Sequence, residues 1–128
     1  MRILLIQDML LMPTNAKLVL SKFGHVVEIT DGLKSINKLI TSCRNNLNFD
    51  VIFVDMILSG VSGINVIKYI RKIEEDPFIN KSYIAIICPS GCQIDYDDLI
   101  NAGADKIFIK PITYDSVKEY FKEIKLIE

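Results

Sequence analysis

Short apolar runs recur along the chain at intervals of a few tens of residues. Five of them are rich in β-branched residues and too short for stable helices: Ile3–Ile6, Val26–Ile29, Val51–Val54, Ile84–Ile87 and Lys106–Ile109. Three of the five are apolar almost throughout, which is typical of strands buried on both faces of a parallel sheet. The pattern therefore predicts five strands in a sheet that is covered on both sides.

The segments between these runs carry apolar residues at helical spacing. The stripes are Ala16, Val19, Leu20 and Phe23; Leu33, Ile36, Ile40 and Cys43; Ile64, Ile67, Ile70 and Ile73; Leu99 and Ile100; and Val117, Tyr120, Phe121, Ile124 and Ile127. Ser62 and Thr113 stand where their hydroxyl groups would cap the third and the fifth helix. We therefore predict that a helix follows each strand.

Strict alternation of strands and helices predicts a doubly wound α/β sandwich with right-handed crossovers. A five-stranded sheet of this flavodoxin-like kind most often has the order 2-1-3-4-5. The second strand then lies at one edge, which agrees with the polar residue in Val26–Ile29. In such a fold, a site lies at the carboxyl ends of the strands, beside the switch point between strands 1 and 3.

Composition narrows the class of protein. The 128 residues suit one domain, 1–128, and half of them are hydrophobic, which is enough for an ordinary core. A net charge of -1 with scattered lysines weakens the case for a nucleic-acid-binding surface, which normally needs clustered basic residues. No apolar run approaches the length of a membrane span, and the polar pair Gln7-Asp8 comes too early for a signal peptide. We therefore expect a cytoplasmic protein that binds neither nucleic acid nor membrane.

The cysteines point to no special chemistry. The three residues Cys43, Cys88 and Cys92 are odd in number and contain no Cys-x-x-Cys pair. A disulfide framework and a zinc site are therefore both unsupported, and the residues are interpreted as thiols of a reducing compartment.

Polar side chains follow the predicted strands at the edge where a site is expected. Asp8 follows strand 1, Asp55 follows strand 3, Cys88 and Ser90 lie at the end of strand 4, and Lys110 follows strand 5. Because the carboxyl ends of parallel strands meet at one edge, these residues are predicted to be neighbours. Each alone has an ordinary interpretation, such as a helix cap or a solvated lysine, and only the combination favours a site.

The combination favours phosphoryl transfer. Two neighbouring carboxylates repel each other unless a cation shares the site, and a hard ion with oxygen ligands such as Mg2+ would suit Asp8 and Asp55. Lys110 would contact the oxygens of an incoming phosphoryl group. An aspartate can act as the nucleophile and form an acyl phosphate.

These residues resemble the receiver domain of bacterial response regulators over the whole length of the chain. The resemblance is carried by Asp8 after strand 1, by Asp55 after its apolar run, by the loop Met56–Gly63 with its final glycine, by the turn Ala102–Asp105, and by Lys110 with Pro111. The family usually has a cis peptide bond before that proline. The spacing of Asp8, Asp55 and Lys110 agrees as well.

The resemblance implies a signalling switch rather than an enzyme with an external substrate. Asp55 would accept a phosphoryl group from the phosphohistidine of a sensor histidine kinase or a histidine phosphotransfer protein. Asp8, Asp55 and the backbone carbonyl of Ile57 would bind Mg2+, and Lys110 would pair with the phosphoryl oxygens. The domain would assist its own phosphorylation and dephosphorylation.

The output would be altered binding of a downstream effector protein. Because nothing but a short end follows the domain, the chain looks like a stand-alone regulator similar to the CheY or DivK kind, with a slight lean towards DivK-like proteins. Whether it forms a homodimer is left open by the sequence.

The chain departs from the family pattern at several positions. Gln7 replaces one acid of the usual pair, so weaker rather than absent Mg2+ binding is expected. Cys88 aligns with a threonine or serine, and a thiol is a poor donor to a phosphoryl oxygen. Ser90 could take this role only if the loop shifts by two residues, and Ile107 replaces an aromatic residue.

Two other classes of function therefore stay open. The first is a pseudo-receiver, which would act as a protein-interaction module without being phosphorylated. The second is an unrelated flavodoxin-like enzyme or small-molecule binder, which lacks support because the chain has no glycine-rich phosphate loop.

Overall fold

A single parallel sheet runs through the computed structural model, which describes residues 1–7, 15–30, 32–45, 48–58, 61–91, 93 and 95–128. The strands are β1 (Arg2–Ile6), β2 (His25–Ile29), β3 (Val51–Asp55), β4 (Tyr83–Cys88) and β5 (Lys106–Ile109), in the order β2-β1-β3-β4-β5. The helices are α1 (Ala16–Ser21), α2 (Gly32–Arg44), α3 (Gly63–Ile73), α4 (Tyr96–Ala102) and α5 (Tyr114–Glu123). The predicted fold class and strand order are both confirmed.

Alternate residues of the strands enter two separate cores. Leu4, Ile6, Ile52, Val54, Ile84 and Ile86 face helices α2, α3 and α4, whereas Ile3, Leu5, Val51, Phe53, Ala85 and Ile87 face α1 and α5. Every residue of β3 is buried, including its last one. The sheet is therefore covered on both faces, as the apolar runs predicted.

The helix starts follow the predicted caps. The hydroxyl of Ser62 accepts a hydrogen bond from the N–H of Asn65 at 3.2 Å. Thr113 and Ser116 cap α5 reciprocally, each side chain accepting from the backbone N–H of the other. Within the described part of the chain, no helix has the length and apolar character that a membrane crossing requires.

Two helices end earlier than the apolar stripes predicted. α1 ends at Ser21, and Phe23 lies in the following turn with its ring stacked on Tyr114 at 4.8 Å. α5 ends at Glu123, since Lys125 adopts a left-handed conformation with φ of 61°. Ile124 and Ile127 still pack on the core, so periodic burial continued past the ends of the helices.

Arg71 joins α3 to the amino-terminal ends of β4 and β5. Its guanidinium group donates to the carbonyl of Gly103 at 3.0 and 2.8 Å, to Glu74 at 2.6 Å, to the carbonyl of Ser82 at 2.9 Å and to Asp105 at 2.8 Å. Gly103, in a left-handed conformation, lies too close to this side chain for any Cβ. The contacts form a clasp at the edge of the sheet opposite to the predicted site.

Tyr120 buries a phenol against the sheet. The residue is 3% exposed, and its ring lies nearly perpendicular to that of Phe108, with 5.7 Å between the two centroids. Its hydroxyl group has no hydrogen-bond partner among the described residues. Burial raises the pKa of Tyr120 well above its ordinary value, and the charge of Asp105 acts in the same direction.

Because the pKa of Tyr120 is raised, the free energy of unfolding should decrease as the pH rises into the alkaline range. Folding favours the neutral phenol, so its contribution is complete below the unfolded pKa of about 10 and is lost as the pH rises beyond it. We expect the free energy of unfolding of the native chain to fall more steeply above pH of about 10 than that of Tyr120→Phe. At pH 7 the two should differ by no more than about 1 kcal/mol.

Urea unfolding at a series of pH values measures both quantities. Tyr69→Phe is the matched control, because Tyr69 is 53% exposed on α3. This substitution should not change how steeply the free energy of unfolding falls with pH. Parallel pH curves for the native chain and Tyr120→Phe would contradict the prediction.

Candidate functional site

Asp55 ends β3 as a buried carboxylate that is held at both oxygens. The residue is 4% exposed. Its Oδ2 accepts from the Nζ of Lys110 at 2.7 Å, and its Oδ1 accepts from the N–H of Ile57 at 3.2 Å. The structure therefore joins residues that are 55 positions apart in a charge-compensated pair at the carboxyl edge of the sheet.

The loop after β3 fixes the direction of this carboxylate. The N–H of Met56 donates to the carbonyl of Ile87 at 2.9 Å, and the N–H of Gly63 donates to the carbonyl of Met56 at 3.0 Å. Gly63 lies so close to the carbonyl of Asp55 that a Cβ would overlap it. Glycine is therefore required at this position by contact with the backbone that carries Asp55.

Lys110 approaches the site from the far edge of the sheet. Its backbone N–H donates to the carbonyl of Cys88 at 2.9 Å, which extends the pairing of β4 and β5 by one residue. The Lys110–Pro111 peptide bond is cis, as the resemblance led us to expect. The lysine side chain is 26% exposed, so its ammonium group contacts Asp55 while part of the side chain meets solvent.

Gln7 lies beside Asp55 and contacts an acid that the sequence analysis did not single out. The pairing of Ile6 with Val54, continued by one residue, places Gln7 next to Asp55. Gln7 is 4% exposed, and its Nε2 donates to the Oε2 of Glu28 at 2.7 Å. In the sequence Glu28 marks β2 as the more polar edge strand, and a charge within an apolar run is the one signal that could have drawn attention to it.

The metal ligands expected from the sequence are described in part. Asp8 lies outside the described residues, whereas Asp55 and the backbone of Ile57 are adjacent. Among the residues with described positions, no group of three or more His, Cys, Asp and Glu side chains could hold a metal ion. The Asp55 carboxylate and the amide of Gln7 offer oxygen donors at one edge, a donor type that fits a hard cation such as Mg2+.

Of the remaining positions predicted from the sequence, Cys88 and Ser90 lie at the carboxyl end of β4, whereas Ile107 lies two residues before the end of β5. Cys88 is the last residue of β4 and is buried, with its Sγ 3.5 Å from the Sδ of Met56. Ser90 is exposed in the turn two residues later. Ile107 is half-buried, pairs with Ile86 and packs in the core beneath α3 and α4. The backbone contact with Lys110 thus supports the alignment of Cys88, rather than Ser90, with the end of strand 4.

Comparison with known proteins identifies the family. The model of the response regulator receiver domain matches residues 3–122. The chain is 29% identical over 90 residues to stress response regulator protein 1 of Candida albicans, which covers 70% of this chain and 29% of that protein. It is 28% identical over 126 residues to the chemotaxis protein CheY of Thermotoga maritima, covering 96% of each. The chain thus spans under a third of the Candida protein and nearly all of CheY.

Solved structures show the same fold. The receiver domain of a LuxO repressor protein from Vibrio parahaemolyticus aligns with a TM-score of 0.73 at 24% identity, covering 98% of this chain and 92% of that one. The receiver domain of the sensor histidine kinase PA1611 from Pseudomonas aeruginosa aligns with a TM-score of 0.71 at 21% identity, covering 95% and 94%. That second structure is described with a magnesium ion in its active-site cleft.

The contact between Asp55 and Lys110 predicts a specific pattern of stability. Lys110→Met keeps the aliphatic side chain but leaves a buried carboxylate without its cation, which should lower the free energy of unfolding by about 3 kcal/mol. Adding Asp55→Asn removes the unpaired charge and should recover part of this loss. Urea unfolding of the two single variants and the double variant gives the coupling energy. Strictly additive effects would contradict a direct interaction of the two side chains.

Proposed function

Because the chain belongs to the response regulator receiver domain family, we propose that it is a phosphorylation switch with Asp55 as the acceptor. The donor would be the phosphohistidine of a sensor histidine kinase or of a histidine phosphotransfer protein. The observation that carries the proposal is the 2.7 Å contact between the buried carboxylate of Asp55 and the ammonium group of Lys110. A nucleophile and its compensating cation thus stand together at the carboxyl edge of the sheet.

The proposed reaction transfers one phosphoryl group. A carboxylate oxygen of Asp55 attacks phosphorus, the P–O bond forms as the P–N bond to the donor imidazole breaks, and the imidazole nitrogen keeps the electron pair and takes up a proton. Lys110 would then move from the carboxylate towards the phosphoryl oxygens, where its charge is compensated again. The domain assists this reaction on itself and turns over no external substrate.

Magnesium is part of the proposal. Asp8, Asp55 and the backbone carbonyl of Ile57 would hold the ion, which would neutralise negative charge on the transferred group. The oxygen donors at this edge and the magnesium ion described in the PA1611 receiver domain both support this assignment. Gln7 offers only a neutral amide here, so the affinity for Mg2+ would be modest.

The output would run through the strand 4–helix 4–strand 5 side of the domain. Phosphorylation adds roughly one to two negative charges at the site, which draws Lys110 and neighbouring donors towards it. α4 buries only Leu99 and Ala102 within its seven residues and exposes Tyr96 and Ile100, so little packing holds it in place. We propose that a downstream effector protein binds one arrangement of this face better than the other, and that a second copy of the chain is a further candidate partner.

The context of the domain is proposed on the same basis. Cys88 carries a reduced thiol, which suits a reducing compartment, so we propose a cytoplasmic location. A domain that acts alone would match CheY of Thermotoga maritima, which aligns with this chain over 96% of its length. The relatives come from bacteria, yeasts and rice, and we propose a bacterial origin because the chain resembles bacterial response regulators.

A pseudo-receiver is the second candidate function. It is favoured by Cys88, whose Sγ lies 3.5 Å from Met56 where the family expects a hydroxyl donor for the phosphoryl group. Gln7 likewise donates to Glu28 at 2.7 Å instead of offering a carboxylate. In this case the domain would bind its partner without being phosphorylated.

Direct phosphorylation separates the two functions. The chain is incubated with Mg2+ and acetyl phosphate, and intact mass spectrometry should show one added phosphoryl group that hydroxylamine removes. Asp55→Asn should abolish the adduct, whereas Asp98→Asn, which changes an exposed aspartate on α4, should retain it. The absence of any adduct over a wide range of donor and metal concentrations would favour the pseudo-receiver.

The replacement Cys88→Thr tests how well the site is coupled to β5. A hydroxyl group is a stronger donor to a phosphoryl oxygen than a thiol, so phosphorylation should shift the amide NMR signals of Ile107 and Ile109 further in this variant than in the native chain. Cys88→Val has a similar volume without a donor and should respond no more than the native chain. Equal shifts in all three proteins would contradict a role for this position in the relay.

A further inference from the structure

Glu28 stands on the same side of the sheet as the proposed phosphorylation site. It pairs with Leu5, and Leu5 also pairs with Phe53, whose side chain enters the core beneath α1 and α5. Because side chains alternate along strands, Gln7 and Asp55, each two residues further on, share this side. Continued register places these two residues on adjacent strands, separated by about 4.8 Å. Gln7 therefore lies between Glu28 on β2 and Asp55 on β3.

The hydrogen bond to Glu28 determines how the amide of Gln7 is turned. A carboxylate can only accept, so it contacts the Nε2 of Gln7, here at 2.7 Å. The opposite orientation would bring two acceptor oxygens together inside a site where Gln7 is 4% exposed. The carbonyl oxygen Oε1 is therefore turned away from Glu28, and the strand on that other side is β3, which carries Asp55.

We propose that Glu28 is a positioning residue for the magnesium site, acting through Gln7. Its carboxylate keeps Oε1 of Gln7 directed to the side of the cation, so that a neutral amide serves as an oxygen donor at a position where the resemblance expects an acid. The inference rests on the proposed function, because it requires Mg2+ beside Asp55. It extends that function to a residue of an edge strand that contacts neither the cation nor the phosphoryl group.

The hydrogen bond between Gln7 and Glu28 also explains why only one of these two positions carries a carboxylate. An acid at position 7 would meet the carboxylate of Glu28 across the present 2.7 Å contact, and like charges at this distance repel. An amide at one position and an acid at the other satisfies both side chains. The two side chains can therefore be exchanged, so that the acid stands at position 7 and the amide at position 28, without losing the hydrogen bond.

This reversibility gives a direct test. Mg2+ affinity is measured by NMR titration with magnesium chloride alone, without phosphodonor, and stability by urea unfolding. Glu28→Gln should weaken Mg2+ binding by about tenfold, the usual scale for loss of a residue that orients a ligand. The double variant Gln7→Glu with Glu28→Gln should restore the affinity to at least the native value, because it rebuilds the hydrogen bond and directs a carboxylate to the cation.

Two further variants separate the influence of Glu28 on Mg2+ affinity from its influence on stability. Gln7→Glu alone brings two carboxylates together and should lower the free energy of unfolding, a loss that the double variant recovers. Glu75→Gln removes a charge from an exposed position after α3 and should leave Mg2+ affinity unchanged. A merely structural Glu28 would alter stability without changing Mg2+ affinity, and the reversed pair would then not restore binding. That result would overturn the inference.

The failures of the two proposals are distinguishable. If the native chain binds no Mg2+ and acetyl phosphate leaves Asp55 unmodified, the proposed function fails and this inference fails with it. If the native chain binds Mg2+ and is phosphorylated while Glu28→Gln binds Mg2+ equally well, only the role of Glu28 is wrong.

Discussion

The pairing of a buried carboxylate with one ammonium group is the interaction on which this site depends. Asp55 is 4% exposed, and a charge in such a place is tolerated only when it is compensated and hydrogen-bonded. Lys110 provides the compensation at 2.7 Å, and the N–H of Ile57 occupies the other oxygen. The parallel sheet makes this possible because it brings the ends of β3 and β5 to one edge. Gly63 and the extended pairing at Cys88 then hold the two backbones in position.

Much of this arrangement could be predicted from the sequence because the controlling patterns are local. β-Branched apolar runs indicated the strands, hydroxyl residues indicated the starts of α3 and α5, and parallel topology brought Asp55 and Lys110 together. Contacts that depend on the direction of individual side chains could not be predicted in this way. The bond between Gln7 and Glu28 follows from the register of β1 against β2, which no local pattern specifies.

The site combines a conventional charge pair with unconventional neighbours. Asp55 and Lys110 stand where the family pattern has an aspartate and a lysine, while an amide replaces an acid at Gln7 and a thiol replaces a hydroxyl at Cys88. Both replacements have found partners of their own, in Glu28 and Met56. The contacts of Asp55 and those of Cys88 therefore involve different side chains, Lys110 in the first case and Met56 in the second.

The clasp around Arg71 restrains β4 and β5 at one end only. Four of the five hydrogen bonds of its guanidinium group tie α3 to Ser82, Gly103 and Asp105 before these strands, and the fifth is made to Glu74 at the end of α3 itself. The carboxyl ends of β4 and β5 are joined by the backbone hydrogen bond from Lys110 to Cys88, and the ion pair of Lys110 with Asp55 links β5 to β3. α4 ends at Ala102, and its C-cap residue Gly103 accepts hydrogen bonds from Arg71. A rearrangement at the opposite edge would therefore rotate α4 about its restrained carboxyl end, with the largest displacement near Tyr96.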